Sequence, residues 1–200
     1  MLSSIHPFGE RSRNNRYALT VLAYVIGSVV GGALSGAAFG AIGSAAVSVI
    51  GPATTPILVM GGIVAAAGIM FDMGVGGLRL PTLHRQVNED WLTTYRSWVY
   101  GAGWGFQLGF GLMTIVPSAS IYTMFVLIVL NGSIVGGIIV GSFFGLARSS
   151  MIFTMARVDS PERLRSAHRT LQRRRVGGHR AALGGLGAAS LILAGGALWP

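Results

Sequence analysis

The sequence predicts an all-α, polytopic integral membrane protein of about five transmembrane helices with an inverted internal repeat. Three observations carry this. First, 52% of the 200 residues are hydrophobic, 10% are charged and 31 are glycine, a balance foreign to soluble domains. Second, all fifteen basic residues are arginines, confined to three polar segments between long apolar runs. Arg11, Arg13 and Arg16 precede the first run; Arg79, Arg85 and Arg96 follow the second; the other nine, from Arg148 to Arg180, follow the fourth. Alternation of arginine-rich and arginine-free connections orients a membrane protein with its basic loops in the cytoplasm. Third, residues 17–44 and 122–149 match at a constant offset of 105 with twelve identities in 28 positions.

A hydrocarbon core of about 30 Å needs about 20 apolar helical residues, and five segments qualify: Tyr17–Gly43, Pro56–Leu78, Ser97–Val116, Ile121–Ala147 and Ala181–Trp199. The first run continues to Ile50, and a single helix over it would be about 50 Å long. A break near Gly43 or Ser44 is therefore expected, then an interfacial stretch to Gly51–Pro52; whether residues 44–55 hold a sixth span or a re-entrant segment stays open. Small residues around Ala33–Ala37 fit a signal-peptide cleavage site loosely, but the run beyond them stays apolar, so cleavage is not expected. The expected organisation is a basic cytoplasmic N-terminus (1–16), a four-span unit (17–147) with a cytoplasmic loop (79–96), a basic cytoplasmic loop with an amphipathic helix (148–180), and a fifth span (181–200) ending outside. Pro52, Pro56 and Pro117 read as helix stops in outer turns.

In the repeat, Gly27-Ser28-x-Val30-Gly31-Gly32-x-x-x-Gly36-x-x-Phe39-Gly40 returns as Gly132-Ser133-x-Val135-Gly136-Gly137-x-x-x-Gly141-x-x-Phe144-Gly145. With a cytoplasmic N-terminus the two copies run in opposite directions, as in inverted-repeat membrane folds. Gly32/Gly36/Gly40, Gly101/Gly105/Gly109 and Gly137/Gly141/Gly145 make smooth stripes. Lipid offers no hydrophobic drive between helices, so close backbone approach must hold them. The partner of each stripe lies within the chain, in a second copy, or in another membrane protein.

Ser160-Pro161-Glu162 is a helix start, with a capping side chain, proline at the first position and an acid in the first turn. The helix to about Val176 surrounds a thin apolar face with arginines. Arg163, Arg169, Arg173, Arg174 and Arg175 suit contact with anionic lipids, and equally a solvated helix whose charge only sets topology. Trp91, Tyr95, Trp98 and Tyr100 read as an aromatic anchor at the inner interface.

Polar groups within spans need a reason. Gln107 and Asn131 each lie ten residues from the turn expected at Pro117–Ile121, hence at one depth. They are either a structural amide pair or part of a polar midplane site. Asp72 is the one acid within a span, about 10 Å above the cytoplasmic end at Arg79. It is either a coupling acid or a headgroup residue. Ser28 and Ser133 are read as bonding their own helix backbones. His84, Glu89 and Asp90 fit no metal-ligand spacing, so no metal and no cofactor are expected. Cysteine is absent, which removes thiol relays and cysteine metal sites. No nucleophile–base pair or phosphate loop is present, so an enzyme is not expected, nor is a nucleic-acid partner. Two classes remain: a small carrier of unidentified substrate, or an accessory subunit packing through its glycine stripes. The partners expected are the bilayer, anionic lipids included, and a further copy or another membrane protein.

The glycine-patterned helices, with Gly101-x-Gly103-x-Gly105-Phe106-Gln107-Leu108-Gly109, resemble the transmembrane thiol–disulfide electron carriers of cytochrome c biogenesis and related small exporters, and uncharacterised small membrane proteins of actinobacteria. The resemblance covers Tyr17–Ser149. It implies two inverted halves and an electron relay through one cysteine per half, commonly beside proline. Thr114-Ile115-Val116-Pro117 stands where such a site falls, without the cysteine. The resemblance therefore implies a carrier-like or accessory role without thiol redox activity.

Overall fold

In the computed structural model, residues 5–51, 54–75, 90–114, 116 and 118–198 are described. They form α1 (Pro7–Ser12), α2 (Tyr17–Ile50), α3 (Thr54–Asp72), α4 (Trp91–Thr94), α5 (Ser97–Phe110), α6 (Ser120–Asn131), α7 (Ile134–Ser149) with a 3-10 extension (Ser150–Met155), and α8 (Pro161–Leu198). The described residues contain no strand. Tyr17–Val49 and Ile134–Met155 are each long and apolar enough to cross a bilayer.

Helix α2 is the axis, and glycines set the register of its neighbours. A Cβ on Gly32 would strike the Gly141 carbonyl and one on Gly36 the Gly137 carbonyl, so α7 runs antiparallel to α2 at backbone contact. The pairing is reciprocal. Under the 105-residue offset Gly32 corresponds to Gly137 and Gly36 to Gly141, so each position meets the counterpart of the other. On the next face α5 runs parallel to α2: Gly101 abuts the Thr20 carbonyl, Gly105 that of Tyr24 and Gly109 that of Ser28. The Ser28 carbonyl also faces Gly145, and the Ser28 hydroxyl donates to Gly145 O at 2.8 Å, so three helices meet at this serine. It bonds a neighbouring helix rather than its own.

Four expectations about the spans are corrected. Helix α2 is unbroken at Gly43 and Ser44 and ends at Gly51, φ 86°. Its last turns have partners: Gly43 abuts Val129, and the groove at its end is lined by Ala46, Val47, Pro56 and Met60. The third span stops as a helix at Phe110, where Gly111 takes φ 85°. The fourth, Ile121–Ala147, is two helices folded back on each other. Phe125 stacks beside Phe39 at 4.5 Å and Gly132 abuts Val47, so α6 rises parallel to α2; the chain reverses at Gly132 (φ 62°) and α7 descends. The Ser133 side chain accepts from Gly136 N at 3.0 Å and caps α7, satisfying a donor that the new helix would otherwise leave open. Finally, the 148–180 loop and the 181–200 span do not separate: α8 runs through from Pro161 to Leu198. No proline interrupts it, Gly177 and Gly178 are compatible with the helix, and its upper part packs on α3, where Leu186 lies beside Gly68.

The N-terminus is not a free basic tail. Helix α1 folds onto the bundle, with Ile5, His6 and Glu10 buried. Glu10 accepts hydrogen bonds from Thr20 Oγ1 at 2.8 Å and Tyr100 OH at 2.7 Å, and pairs with Arg13 at 2.9 Å. Tyr100 is thus an interior residue and no interfacial anchor. Arg79, Arg85, His84 and Glu89 lie outside the described residues.

Candidate functional site

The register on α2 places the end of α5 and the start of α6 at the middle of the bundle. Helix α5 ends where Phe110 faces Gly31. Helix α6 begins five residues before Phe125, hence near position 34 of α2, halfway along Tyr17–Ile50. α5 and α6 therefore follow one another along α2, one on its lower half and one on its upper half. Of the described residues between them, Thr114, Val116 and Ser118 are buried. Val116 packs with Ile121, Phe125 and Ile128.

A break between two helices leaves backbone groups without intrahelical partners, and two charged side chains meet this need. Arg148, half-buried on α7, donates to Gly111 O at 3.4 Å and Thr114 Oγ1 at 3.3 Å, and its guanidinium lies 5.6 Å from the centre of the Phe144 ring. Asp72, the last residue of α3, accepts from Ser118 Oγ and from Ala119 N, both at 2.6 Å. Ala119 is the N-cap position of α6 and has no capping side chain. Asp72 supplies that cap from another helix, and its negative charge opposes the positive end of the α6 dipole. Ser118 and Ser120 hydroxyls, 2.9 Å apart, continue the polar patch.

Asp72 consequently sits at mid-bundle, not near the inner end. Gln107 and Asn131 are not brought together. α5 lies on α2 and α7 whereas α6 lies on α2 and α3. Gln107 is half-buried near the level of Ser28, and Asn131 is exposed at the upper turn near the level of Val47. They are about 30 Å apart along α2. Among the described residues no hydrogen bond joins them. The difference traces to the reversal, which the sequence suggests at Pro117–Ile121 and which the chain makes at Gly132, φ 62°; Pro52 and Pro117 themselves lie outside the described residues. The reversal is announced by Asn131-Gly132-Ser133, a turn dipeptide followed by a helix cap.

Of the glycine stripes, Gly32, Gly36 and Gly40 face Gly141, Gly137 and Ser133, while Gly101, Gly105 and Gly109 face α2 on its other side. Arg163 and Arg169 are exposed on α8, and the side chains of Arg173, Arg174 and Arg175 lie outside the described residues. Among the described residues no cluster of histidine, aspartate and glutamate is arranged to hold a metal. A groove of about 530 Å³ opens between α6, α7 and α8, with Ser120, Thr123 and Asn131 as its polar lining.

The sequence model of the family described as Cytochrome C biogenesis protein transmembrane region matches residues 3–186. No curated protein and no solved structure matches the chain.

Proposed function

The chain belongs to the family of the cytochrome c biogenesis protein transmembrane region, a multi-pass membrane protein family, and from that premise we propose that it is a small carrier working without thiols. The observation that carries this reading is the break between α5 and α6, read as one interrupted pass, with Asp72 bonded at its α6 end and Arg148 at its α5 end. Discontinuous helices near the bilayer midplane are how secondary carriers build substrate and ion sites, and charged groups at that depth are retained for function more often than for stability. Cysteine is absent, so no disulfide relay passes through this chain. The break keeps the architecture that such a relay would occupy. No covalent chemistry is assigned to it.

In this reading the passes are α2, α3, the α5–α6 pair, α7 and α8. The arginine-rich ends face the cytoplasm, the Gly132–Ser133 turn and the end of α8 face outward, and Arg163 and Arg169 meet anionic headgroups. A second reading rests on the groove between α6, α7 and α8: a helix of another membrane protein seated there would make the chain an accessory subunit.

The natural lack of cysteine makes the discriminating test direct. A carrier exposes the midpoint of its interrupted pass to water, and only a hydrated thiol ionises and reacts. Ser120→Cys should be modified by a small charged thiol reagent. Asn131→Cys and Ser166→Cys, both at exposed positions, should label from opposite sides. A silent Ser120→Cys variant beside two reactive controls would sink the carrier reading in favour of the accessory one.

A further inference from the structure

The Asp72 carboxylate caps α6, and it is also the end of a line of hydroxyls that leads towards the surface. Its Oδ2 accepts from Ser118 Oγ at 2.6 Å, and Ser118 Oγ lies 2.9 Å from Ser120 Oγ. A serine hydroxyl has one proton to donate. Ser118 gives its proton to the carboxylate, so in the second contact Ser120 is the donor. Both hydroxyls are thus aligned towards the acid. Ser120 in turn lines the groove between α6, α7 and α8, together with Thr123. Ser120 and Asn131 are the first and last residues of α6, and both line this groove. It therefore follows the helix for about 16 Å, ending at the exposed Asn131.

We infer that Asp72 is the proton-binding residue of the carrier, loaded from the outer side through the groove, Ser120 and Ser118. The inference rests on the carrier reading, to which it adds the coupling ion. Acids at such depth are the groups from which membrane proteins build proton relays. A proton from water in the groove adds to Ser120 Oγ, the Ser120 proton moves to Ser118 Oγ, and the Ser118 proton moves to Asp72 Oδ2. Each hydroxyl gains one O–H bond and loses one, no electron is transferred, and the carboxylate becomes a neutral acid. Both hydroxyls then point back to the groove, aligned for the return transfer. Oδ1 still accepts from Ala119 N, but the negative charge opposing the α6 dipole is gone. Proton binding thereby loosens the start of α6, at the upper edge of the break.

Among the described residues no cation pairs with Asp72, and α3 carries no other titratable side chain. On α6, Tyr122 packs with Ile121, Phe125 and Ile128 instead. Arg148 of α7 is bonded at Gly111 and Thr114. On α8, Arg180 is exposed, and the His179 side chain lies outside the described residues.

The test uses the purified full chain in detergent and reads the infrared band of protonated carboxyl groups. The sequence has six acids, so the wild-type spectrum minus that of Asp72→Asn isolates one. Asparagine retains an oxygen for the Ala119 bond and loses the titration. A band that grows as pH falls from about 9 to 5, and is missing in Asp72→Asn, is expected. On rapid mixing with heavy water its deuteration should be about fivefold slower in Ser120→Val, which replaces the relaying hydroxyl with a methyl group. Ser166→Ala, which removes an exposed hydroxyl, should leave the rate unchanged. If Asp72→Asn does not fold, dicyclohexylcarbodiimide, which adds to the protonated acid, decides on the wild-type chain. An adduct at Asp72 that increases as pH falls supports the site, and its absence overturns it. A titrating band whose deuteration is unaltered in Ser120→Val overturns the hydroxyl path. A reactive Ser120→Cys variant together with no titrating Asp72 band would leave the carrier reading standing and remove only the coupling proton.

Discussion

One motif, Gly-Ser-x-Val-Gly-Gly, occurs twice and adopts two conformations. In α2, Gly27 and Ser28 lie in mid-helix; in the second copy, Gly132 is left-handed and Ser133 caps a new helix. The surroundings explain the difference. The face of Gly27 is filled by the backbone of Ala102, and Ser28 is held between Gly109 and Gly145, so the helix is clamped on two sides. Gly132 lies at the upper end of the bundle, where its nearest neighbour is the Val47 side chain. Before these glycines stand Ile26 and Asn131, and Asn-Gly favours a reversal where isoleucine does not. Identical residues thus make a rigid axis in one place and a hairpin in the other.

The largest effect expected from breaking this comparison is at the shared glycine contact. Gly32→Ala and Gly141→Ala each push a methyl group into the opposing carbonyl. Each should destabilise by about 2–3 kcal/mol, the cost of overpacking a close contact. The reciprocal geometry requires the two losses to be alike, as for Gly36→Ala and Gly137→Ala. Thermal unfolding in detergent checks this, and a large loss in one member of a pair alone would refute the reciprocity.

A smaller effect separates the serines. Ser133→Ala removes a helix cap worth about 1 kcal/mol, and its consequence should be local: faster amide exchange in the first turn of α7. Ser28→Ala removes an interhelical bond worth about 0.6–1.7 kcal/mol in membranes. Its consequence should spread over α2, α5 and α7 together. Exchange rates that rise in the same pattern for both variants would show that the two serines play the same part.

The smallest effect concerns α1. Burial, then the charge of Arg13, hold the His6 pKa below its ordinary 6.5, against the opposing pull of Glu10. The neutral ring accepts a hydrogen bond from Gly9 N at Nδ1, and protonation there would cancel it. The unfolded segment takes up a proton first as pH falls through about 6.5, so docking of α1 weakens from neutral pH downward and levels off below the folded value. Hydrogen exchange in α1 should therefore rise, after correction for the intrinsic rate, between about pH 7.5 and 5.5. In His6→Ala that pH dependence should vanish.

Much of the site is hidden in a sequence that shows its class plainly. Asp72 stands out as an acid in an apolar run, but its depth depends on where the outer turn falls, and Pro117 points to the wrong place. Arg148 follows an apolar stretch and so reads as the first residue of a cytoplasmic loop. Only the three-dimensional arrangement shows its side chain turned back to Gly111 and Thr114. Glu10 gives no signal at all, because a carboxylate near a basic N-terminus looks like any solvated one until Tyr100 and Thr20 close around it.

Composition and spacing by themselves determined that this is a helical membrane protein, because apolar runs of that length have no other use for their backbone than a hydrogen-bonded helix in lipid. They also determined the glycine stripes, since a repeat of four residues lies on one face of any α-helix. Where the helices stop was decided by the tertiary structure. Glycine is nearly indifferent between helical and left-handed conformations, so Gly27, Gly111 and Gly132 could not choose between them alone. The backbone of α5 against Gly27 favoured helix, while Arg148 at Gly111 and the Ser133 cap beyond Gly132 satisfied the groups that an interruption exposes. A few well-placed hydrogen bonds outweighed the small local preference, and at Gly111 they come from a helix distant in the chain.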